Sequence, residues 1–351
     1  MKGRKFFRCN SSEEKQLSMY NKVLNVYSRF SARYLPSICL AWLGFCSWVL
    51  LLSSLHRKFE VLTLTIVSQQ TSNMNSTSCC IINYSKYPID QFDSDDDGRF
   101  HALLQSCISQ MERDGFVSLS DFLLPDAVNA LTSSIQQLEQ DGVGYYSKDS
   151  HNVFLDGDGE TDLPPSLHPR QIQLNSSKVI INAKDLLRSK EVPDLDALFM
   201  TQKSILHFIS SVMQTKLYPS TDPYGKFYAN IFHEGDGLNY HFDRSEYSIS
   251  LILQPSEEGG EFQFLPNSRK IIESWDEMIL DEDDIAKAVA PHSQMKRPTL
   301  AAGDLYLFRG QNSLHRVSEV TKGKRINIIL TYNTEPDVRL NPYTLQKFFG
   351  V

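Results

Sequence analysis

The second half of the chain alternates between apolar and polar positions in a series of short segments. Within 245–254, Tyr247, Ile249, Leu251 and Leu253 occupy every second position, which places their side chains on one face of a β-strand. Similar patterns predict strands at 226–232, 260–265, 304–308, 314–320 and 325–333. The first half instead repeats its apolar residues at helical spacing, and the segments concerned are about 100–111, 125–138 and 195–217. A short strand is predicted directly after Asp114 and Gly115.

Helices followed by a run of short strands predict an α+β protein. The arrangement we expect is a double-stranded β-helix (a jelly roll, cupin-like) with helices packed on one outer face. We place this domain at 100–351 and its jelly-roll core at about 223–335. The stretch 56–99 is polar and lacks periodicity over most of its length, so it is predicted to be a linker.

An uncharged apolar run at 36–55, behind the basic segment 1–35, is long enough to cross a bilayer as an N-terminal hydrophobic helix. The upstream Lys and Arg residues predict an uncleaved single-pass signal anchor with a lumenal catalytic domain. Two alternatives stay open: a buried core helix, and a translation start at Met74 that would leave a cytoplasmic protein. If the domain is lumenal, three sequons become candidate glycosylation sites, at Asn75, Asn83 and Asn175.

Charge and cysteine usage exclude several classes of protein. Residues 1–58 contain ten Lys and Arg and two Glu, which gives this segment a net charge of +8. Since the whole chain has a net charge of −7, the remaining residues carry a net charge of −15. The phosphate groups of a nucleic acid would repel a region with this much negative charge, which argues against a nucleic-acid partner. The six cysteines all precede residue 108 and show no Cys-x-x-Cys spacing, which argues against a disulfide framework or a zinc site.

The candidate chemistry lies in the strand region. His241 and Asp243 are two residues apart, so we expect them on one extended strand with both side chains on the same face. His315 follows about seventy residues later. Two imidazoles and one carboxylate form the facial triad that holds Fe(II) and leaves other positions open. Arg325 follows His315 by ten residues, where its planar guanidinium can bind the far carboxylate of 2-oxoglutarate.

Alternation within the last strand predicts the direction of its first side chains. Arg325 shares a face with Asn327, so we expect Arg325 rather than Lys324 to point inward. Asn230 is a candidate second contact for 2-oxoglutarate or for the substrate. Candidates for substrate binding are Glu246 and Arg170, the latter in a loop where it is alternatively a simple structural anchor.

Three motifs together resemble the iron- and 2-oxoglutarate-dependent dioxygenase superfamily: Tyr240-His-Phe-Asp-Arg-Ser-Glu, Gly259-Gly-Glu-Phe-Gln-Phe-Leu-Pro-Asn-Ser-Arg and Gly303-Asp-Leu-Tyr-Leu-Phe-Arg-Gly-Gln-Asn-Ser-Leu-His-Arg-Val. Within it they resemble the branch that includes hydroxylases and halogenases of free amino acids. The resemblance runs from about Asp114 to the C-terminus. It implies that His241, Asp243 and His315 ligate iron and that Arg325 anchors 2-oxoglutarate. O2 is then the oxidant and ascorbate a supporting reductant. Halogenating relatives have a small residue where Asp243 stands.

The sequence therefore predicts an enzyme that hydroxylates an unactivated C–H bond of a small molecule, an amino acid or a derivative of one. One alternative is a protein hydroxylase of the prolyl-hydroxylase type in the secretory pathway, although those enzymes typically carry Lys at the position of Arg325. The other alternative is a non-catalytic jelly-roll binding module. Nothing in the sequence predicts an oligomeric state.

Overall fold

The computed structural model describes residues 81–94, 98–155, 173–274 and 294–351. The chain divides into two units, residues 1–78 and 79–351. The basic segment, the apolar run at 36–55 and the sequon at Asn75 lie outside the described residues, as does Arg170. None of the described helices combines the length and the apolar character needed to cross a membrane.

The strands form antiparallel sheets. In chain order they are β1 (Phe116–Leu119), β2 (Tyr145–His151), β3 (Leu174–Asn182), β4 (Tyr218–Pro219), β5 (Phe227–Phe232), β6 (Leu238–His241), β7 (Ser248–Gln254), β8 (Glu258–Gly259), β9 (Phe262–Leu265), β10 (Leu305–Phe308), β11 (Leu314–Val317), β12 (Val320–Lys322), β13 (Arg325–Leu330) and β14 (Tyr332–Asn333). The large sheet has the order β1-β10-β7-β13-β5-β3-β2, and a small sheet has the order β6-β11-β9.

From β5 onward, successive long strands alternate between the two sheets. Strands β5, β7, β10 and β13 belong to the large sheet, whereas β6, β9 and β11, which lie between them in the sequence, belong to the small sheet. This alternation is the winding of a double-stranded β-helix. Strands β1, β2 and β3 precede the predicted jelly-roll core at about 223–335, and they extend the large sheet at its two edges.

The helices are α1 (Arg99–Asp114), α2 (Pro125–Gln140), α3 (Ala183–Leu186), α4 (Val192–Asp196), α5 (Lys203–Met213), α6 (Arg269–Glu273) and α7 (Pro342–Thr344), with π-helical turns at Ala197–Thr201 and Leu345–Phe349. Helices α1 and α5 pack together, and α2 packs on β7. Their apolar faces share one core with the outward-facing Ile326 and Ile328 of β13. The α+β class and the packing of helices on one face of the large sheet therefore agree with the sequence prediction.

A second apolar layer fills the space between the two sheets. It is largely aromatic and includes Phe262 and Phe264 of the small sheet with Tyr306 and Phe308 of the large sheet. The rings of Phe262 and Tyr306 stack with centroids 5.0 Å apart. This layer closes one end of the interior, and the histidines of the small sheet lie against it, with the ring of His315 4.8 Å from that of Phe308.

Two parts of the structure differ from the sequence prediction. Residues 81–94 fall within the predicted linker, yet Ile82, Tyr87 and Ile89 are buried in the helical core. Because these apolar side chains are few and are separated by polar residues, the segment shows no hydrophobic periodicity from which their burial could be predicted. Strands β2 and β3 were not predicted either, because β2 reads Tyr-Tyr-Ser-Lys-Asp-Ser-His and has no apolar face.

Candidate active site

His241 and His315 lie opposite each other in the small sheet. They are direct register partners on β6 and β11, and their ring centroids are 4.1 Å apart. The Nδ1 atom of His241 is 2.7 Å from the carbonyl oxygen of Asn239, and that of His315 is 2.9 Å from the carbonyl oxygen of Ser313. A carbonyl only accepts hydrogen bonds, so each Nδ1 carries the proton. The lone pair of each Nε2 is therefore free to bind a metal ion.

Asp243 completes the cluster from a loop rather than from a strand. Strand β6 ends at His241, whereas the prediction placed both residues on one extended strand. The backbone is still held in place, because the N–H of Phe242 donates to the carbonyl of Val153 at 2.6 Å and that of Asp243 to the carbonyl of Gly310 at 3.1 Å. Asp243 Oδ1 consequently lies 3.4 Å from the Nε2 atoms of both histidines.

The second carboxylate oxygen of Asp243 is fixed from behind. Ser248 Oγ donates a hydrogen bond to Oδ2, and Gly310 packs so closely that a methyl group on it would overlap the carboxylate. A glycine is therefore required at position 310 for a steric reason. Together, His241, Asp243 and His315 offer ligand atoms that all lie within 4.8 Å of one another, which is the donor set of a mononuclear Fe(II) site.

The protonation states of His241 and Asp243 favour the binding of a cation. Burial, and after it the neighbouring His315, lowers the pKa of His241 to about 4. Burial by itself would raise the pKa of Asp243, but the two imidazoles outweigh it and hold this pKa well below its usual range. At neutral pH His241 is neutral and Asp243 is ionised, so a metal ion displaces no proton from either.

Arg325 and two asparagines form a polar group on the inner face of the large sheet. The Arg325 side chain is buried at 3% exposure, and one of its Nη atoms donates to the carbonyl of Gly260 at 3.1 Å. Arg325 Nε and the Oδ1 of Asn230 have no hydrogen-bond partner among the described residues. Asn327, the register partner of Asn230, donates to Ser250 Oγ at 2.9 Å. Buried polar atoms without partners are costly. The free N–H of Arg325 suits a bound carboxylate, whereas Asn230 Oδ1 accepts and requires a donor.

Lys324 points the other way. Its ammonium lies 2.6 Å from the carboxylate of Glu139, outside the sheet. The alternation along β13 thus separates the two cations, as the sequence predicted, with Arg325 on the buried inner face.

A cavity of about 260 Å³ connects these groups. Its lining includes His241, Asp243 and His315, together with Asn230 and Asn327. Arg325 itself is not among the lining residues, although Tyr306, which its charge influences, is. The cavity is mainly apolar with a few convergent polar groups, as ligand-binding cavities usually are.

The C-terminal segment forms one wall of the cavity. Residues Leu340, Thr344, Phe348 and Phe349 line it. Lys347 holds the segment against β2 through an ion pair with Asp149 at 2.9 Å. The ring of Phe349 also packs edge-on against Tyr228 of β5, with centroids 5.4 Å apart. These two contacts span 198 and 121 residues of sequence, and no local pattern indicates them.

Lys178 is a buried cation in the lining of the cavity, which also includes Asp149 and the exposed Arg244. It projects from β3 and is 7% exposed. Burial lowers its pKa to about 8, although Asp243 and Asp149 act in the opposite direction. Lys178 is not among the site residues predicted from the sequence. The one available signal was that Ser176, Lys178 and Ile180 alternate along a segment ending in apolar residues.

The two other predicted contact residues lie in different places. Asn230, the candidate contact for 2-oxoglutarate or the substrate, lines the cavity. Glu246 is exposed and does not line the cavity, because it lies in the turn before β7 rather than on a strand. Its position gives no support to a role in substrate binding.

Comparison with known proteins identifies the family. The model of the Halogenase D family (HalD) matches residues 101–346, more than half of the chain. Among solved structures, AviO1 from Streptomyces viridochromogenes Tue57 is 15% identical over 68% of this chain and 97% of that chain, with a TM-score of 0.43. A prolyl-4-hydroxylase from Pseudomonas putida is 13% identical over 65% and 97%, with a TM-score of 0.39. EctD from S. alaskensis, solved with 2-oxoglutarate and 5-hydroxyectoine, is 16% identical over 64% and 74%, with a TM-score of 0.41. No curated protein matches the chain.

Proposed function

The chain belongs to the Halogenase D family of iron- and 2-oxoglutarate-dependent oxygenases, and we propose that it hydroxylates an unactivated C–H bond of a small molecule. The observation that carries this proposal is the carboxylate of Asp243 beside the two histidines. We assign His241, Asp243 and His315 as the ligands of Fe(II). With iron, 2-oxoglutarate and O2 bound, such a centre oxidises the substrate while 2-oxoglutarate is converted to succinate and CO2.

The protein residues supply binding, orientation and exclusion of water. The Nδ1 hydrogen bonds to backbone carbonyls fix the rings of His241 and His315. Arg325 offers a buried cation for the far carboxylate of 2-oxoglutarate, and Asn230 offers an amide beside it. The aromatic layer behind His315 keeps this side of the site dry, which strengthens the electrostatic interactions within it.

Asp243 favours hydroxylation over halogenation. Halogenating relatives leave a coordination position to a halide by having a small residue at this place. Here the carboxylate fills the position, and its negative charge disfavours a second anion at the same metal. Ser248 and Gly310 hold the carboxylate in place from behind, so it cannot easily turn away to make room.

The size of the cavity supports a small substrate. A volume of about 260 Å³ accommodates a cosubstrate and a compact second molecule, whereas a polypeptide needs an open groove. The C-terminal segment covers the side along β2. Of the two kinds of hydroxylase predicted from the sequence, the cavity therefore favours the one acting on small molecules.

The test is succinate formation by the iron-loaded enzyme with a panel of free amino acids and proline-containing peptides. Asp243→Ala should abolish turnover and release iron while the protein stays folded, because a mononuclear site that lacks one ligand binds metal weakly. Circular dichroism and iron content measured on the same sample separate a lost ligand from a lost fold. Full turnover by Asp243→Ala would refute the ligand assignment.

A further inference from the structure

We propose that Lys178 binds an anionic group of the substrate, specifically a carboxylate, on the inner face of β3. This inference rests on the proposed function, because it assigns the substrate side of the same cavity. The groups that support it are Lys178 itself, the ion pair of Asp149 with Lys347, and the position of Lys178 relative to Arg325 and Asp243.

The ammonium of Lys178 lacks an anionic partner within the described residues. No hydrogen bond or ion pair to its Nζ occurs there, and the ring of Phe348 lies 6.0 Å away. Asp149 on the neighbouring strand already forms an ion pair with Lys347 at 2.9 Å. A lysine that is 7% exposed normally has a counter-charge, because burying an unpaired charge is expensive. A bound ligand would supply that charge.

The other buried charges around the cavity are balanced once iron and 2-oxoglutarate bind. Arg244 also lines the cavity, but its side chain is exposed to solvent and donates to the carbonyl of Leu155 at 2.6 Å. The two positive charges of Fe(II), together with Arg325, balance the carboxylate of Asp243 and the two carboxylates of 2-oxoglutarate. The ion pair of Asp149 with Lys347 is neutral by itself. Lys178 is then the one unbalanced charge among the buried groups described around the cavity, and the complement it requires is a single negative charge.

Position separates Lys178 from the 2-oxoglutarate anchor. The order β13-β5-β3 places one strand between Arg325 and Lys178. Alternation places both side chains on the inner face, Arg325 with Asn327 on β13 and Lys178 with Ile180 on β3. Two interstrand spacings correspond to about 10 Å between the two backbones. The two cations can therefore hold two different carboxylates, one from the cosubstrate and one from the substrate.

The experiment measures binding to the anaerobic Fe(II)–2-oxoglutarate complex of the full-length protein. The probes are free amino acids and simple carboxylic acids, each paired with its neutral carboxamide. We compare wild type, Lys178→Met, Lys178→Arg and the control Lys148→Met. Lys148 is exposed on the adjacent strand β2, so the control makes the same chemical change outside the cavity.

Wild type should bind at least one acid more tightly than its amide. In Lys178→Met the dissociation constant of that acid should rise roughly 10- to 100-fold and the preference over the amide should disappear. Lys178→Arg should keep most of the preference, and Lys148→Met should behave like wild type. The affinity for 2-oxoglutarate, followed by the absorption of the Fe(II) complex, should be the same in all four proteins.

Each remaining outcome has one meaning. If no acid binds wild type better than it binds Lys178→Met, the proposal is wrong. If Lys178→Met instead weakens 2-oxoglutarate, Lys178 belongs to the cosubstrate site and the proposal is also wrong. Failure of wild type to form any Fe(II)–2-oxoglutarate complex would overturn the proposed function itself, a result distinct from an intact complex without preference for acids.

Discussion

Lys178→Met removes a buried charge and keeps a side chain of similar length, so its effect on stability reports the surroundings of Lys178. We expect the metal-free variant to be more stable than wild type at pH 7. Most substitutions of buried residues destabilise a protein. A gain in stability here would show that the ammonium is held at a cost to the fold, as expected for a group retained for binding.

The magnitude follows from the pKa of Lys178, which burial lowers from 10.5 to about 8. One pKa unit corresponds to about 1.36 kcal/mol, so the protonated side chain costs the folded state about 3 kcal/mol. Below pH 8 the folded and unfolded chains both carry the proton, and this cost is fully present. Between pH 8 and 10.5 the folded protein releases its proton first, so wild-type stability rises with pH. At pH 10 the cost should fall to about 1 kcal/mol.

The assay is urea unfolding of metal-free wild type, Lys178→Met and Lys148→Met at pH 7 and pH 10. The expected gain for Lys178→Met is about 3 kcal/mol at pH 7 and about 1 kcal/mol at pH 10, with an unchanged dependence on urea concentration. The control should lie within about 0.5 kcal/mol of wild type at both values. A loss of stability at pH 7, or a gain that does not change with pH, would refute the reasoning. Either result would mean that the ammonium already has a partner in the protein.

Four further predictions concern the site and the N-terminal region. Arg325→Ala should weaken the binding of 2-oxoglutarate by on the order of 2–4 kcal/mol, seen as a raised KM, whereas Lys324→Ala should not; the opposite result would disprove the assigned strand orientation. Gly310→Ala should displace the carboxylate of Asp243 and lower iron affinity without unfolding the protein, as metal titration and circular dichroism would show; unchanged affinity would contradict the packing. At high chloride, wild type should give no chlorinated product by mass spectrometry, whereas Asp243→Gly is the variant in which chlorination is expected. Finally, carbonate extraction should leave the full-length protein in the membrane pellet if 36–55 is an anchor, and a soluble product starting at Met74 would exclude this.

The strands that could be predicted from sequence are those with one apolar and one polar face. Strand β13 is an example, because Ile326 and Ile328 face the helices while Arg325 and Asn327 lie on the inner face, where Asn327 lines the cavity. When one face of a strand is apolar and the other polar, hydrophobic residues recur at every second position, and this pattern predicts a strand. Strand β2 has solvent on one side and lines the cavity on the other with polar side chains, Ser147, Asp149 and His151, so neither face is apolar and no periodicity arises. The same burial physics therefore explains both the success and the failure.

The triad could be predicted because its geometry depends on few residues. The spacing of His241 and Asp243 is local, and a distal histidine on a neighbouring strand needs only the correct register to meet them. The supports of Asp243 could not be predicted in this way. Ser248 and Gly310 approach it from a later strand and a distant loop, and neither residue type by itself indicates such a contact.

Lys178 shows why the substrate side of a site resists prediction from sequence. A lysine on a strand is usually solvent-exposed, and Lys178 is buried where the C-terminal segment, about 170 residues later, helps to enclose the cavity. The ion pair that fastens this segment joins Lys347 to Asp149, the carboxylate on the strand beside Lys178. Asp149 acts to raise the pKa of Lys178, after Asp243, but its carboxylate is paired with Lys347. The contact that closes the cavity thus also leaves the ammonium of Lys178 without an internal counter-charge, and both effects favour the binding of an anionic ligand.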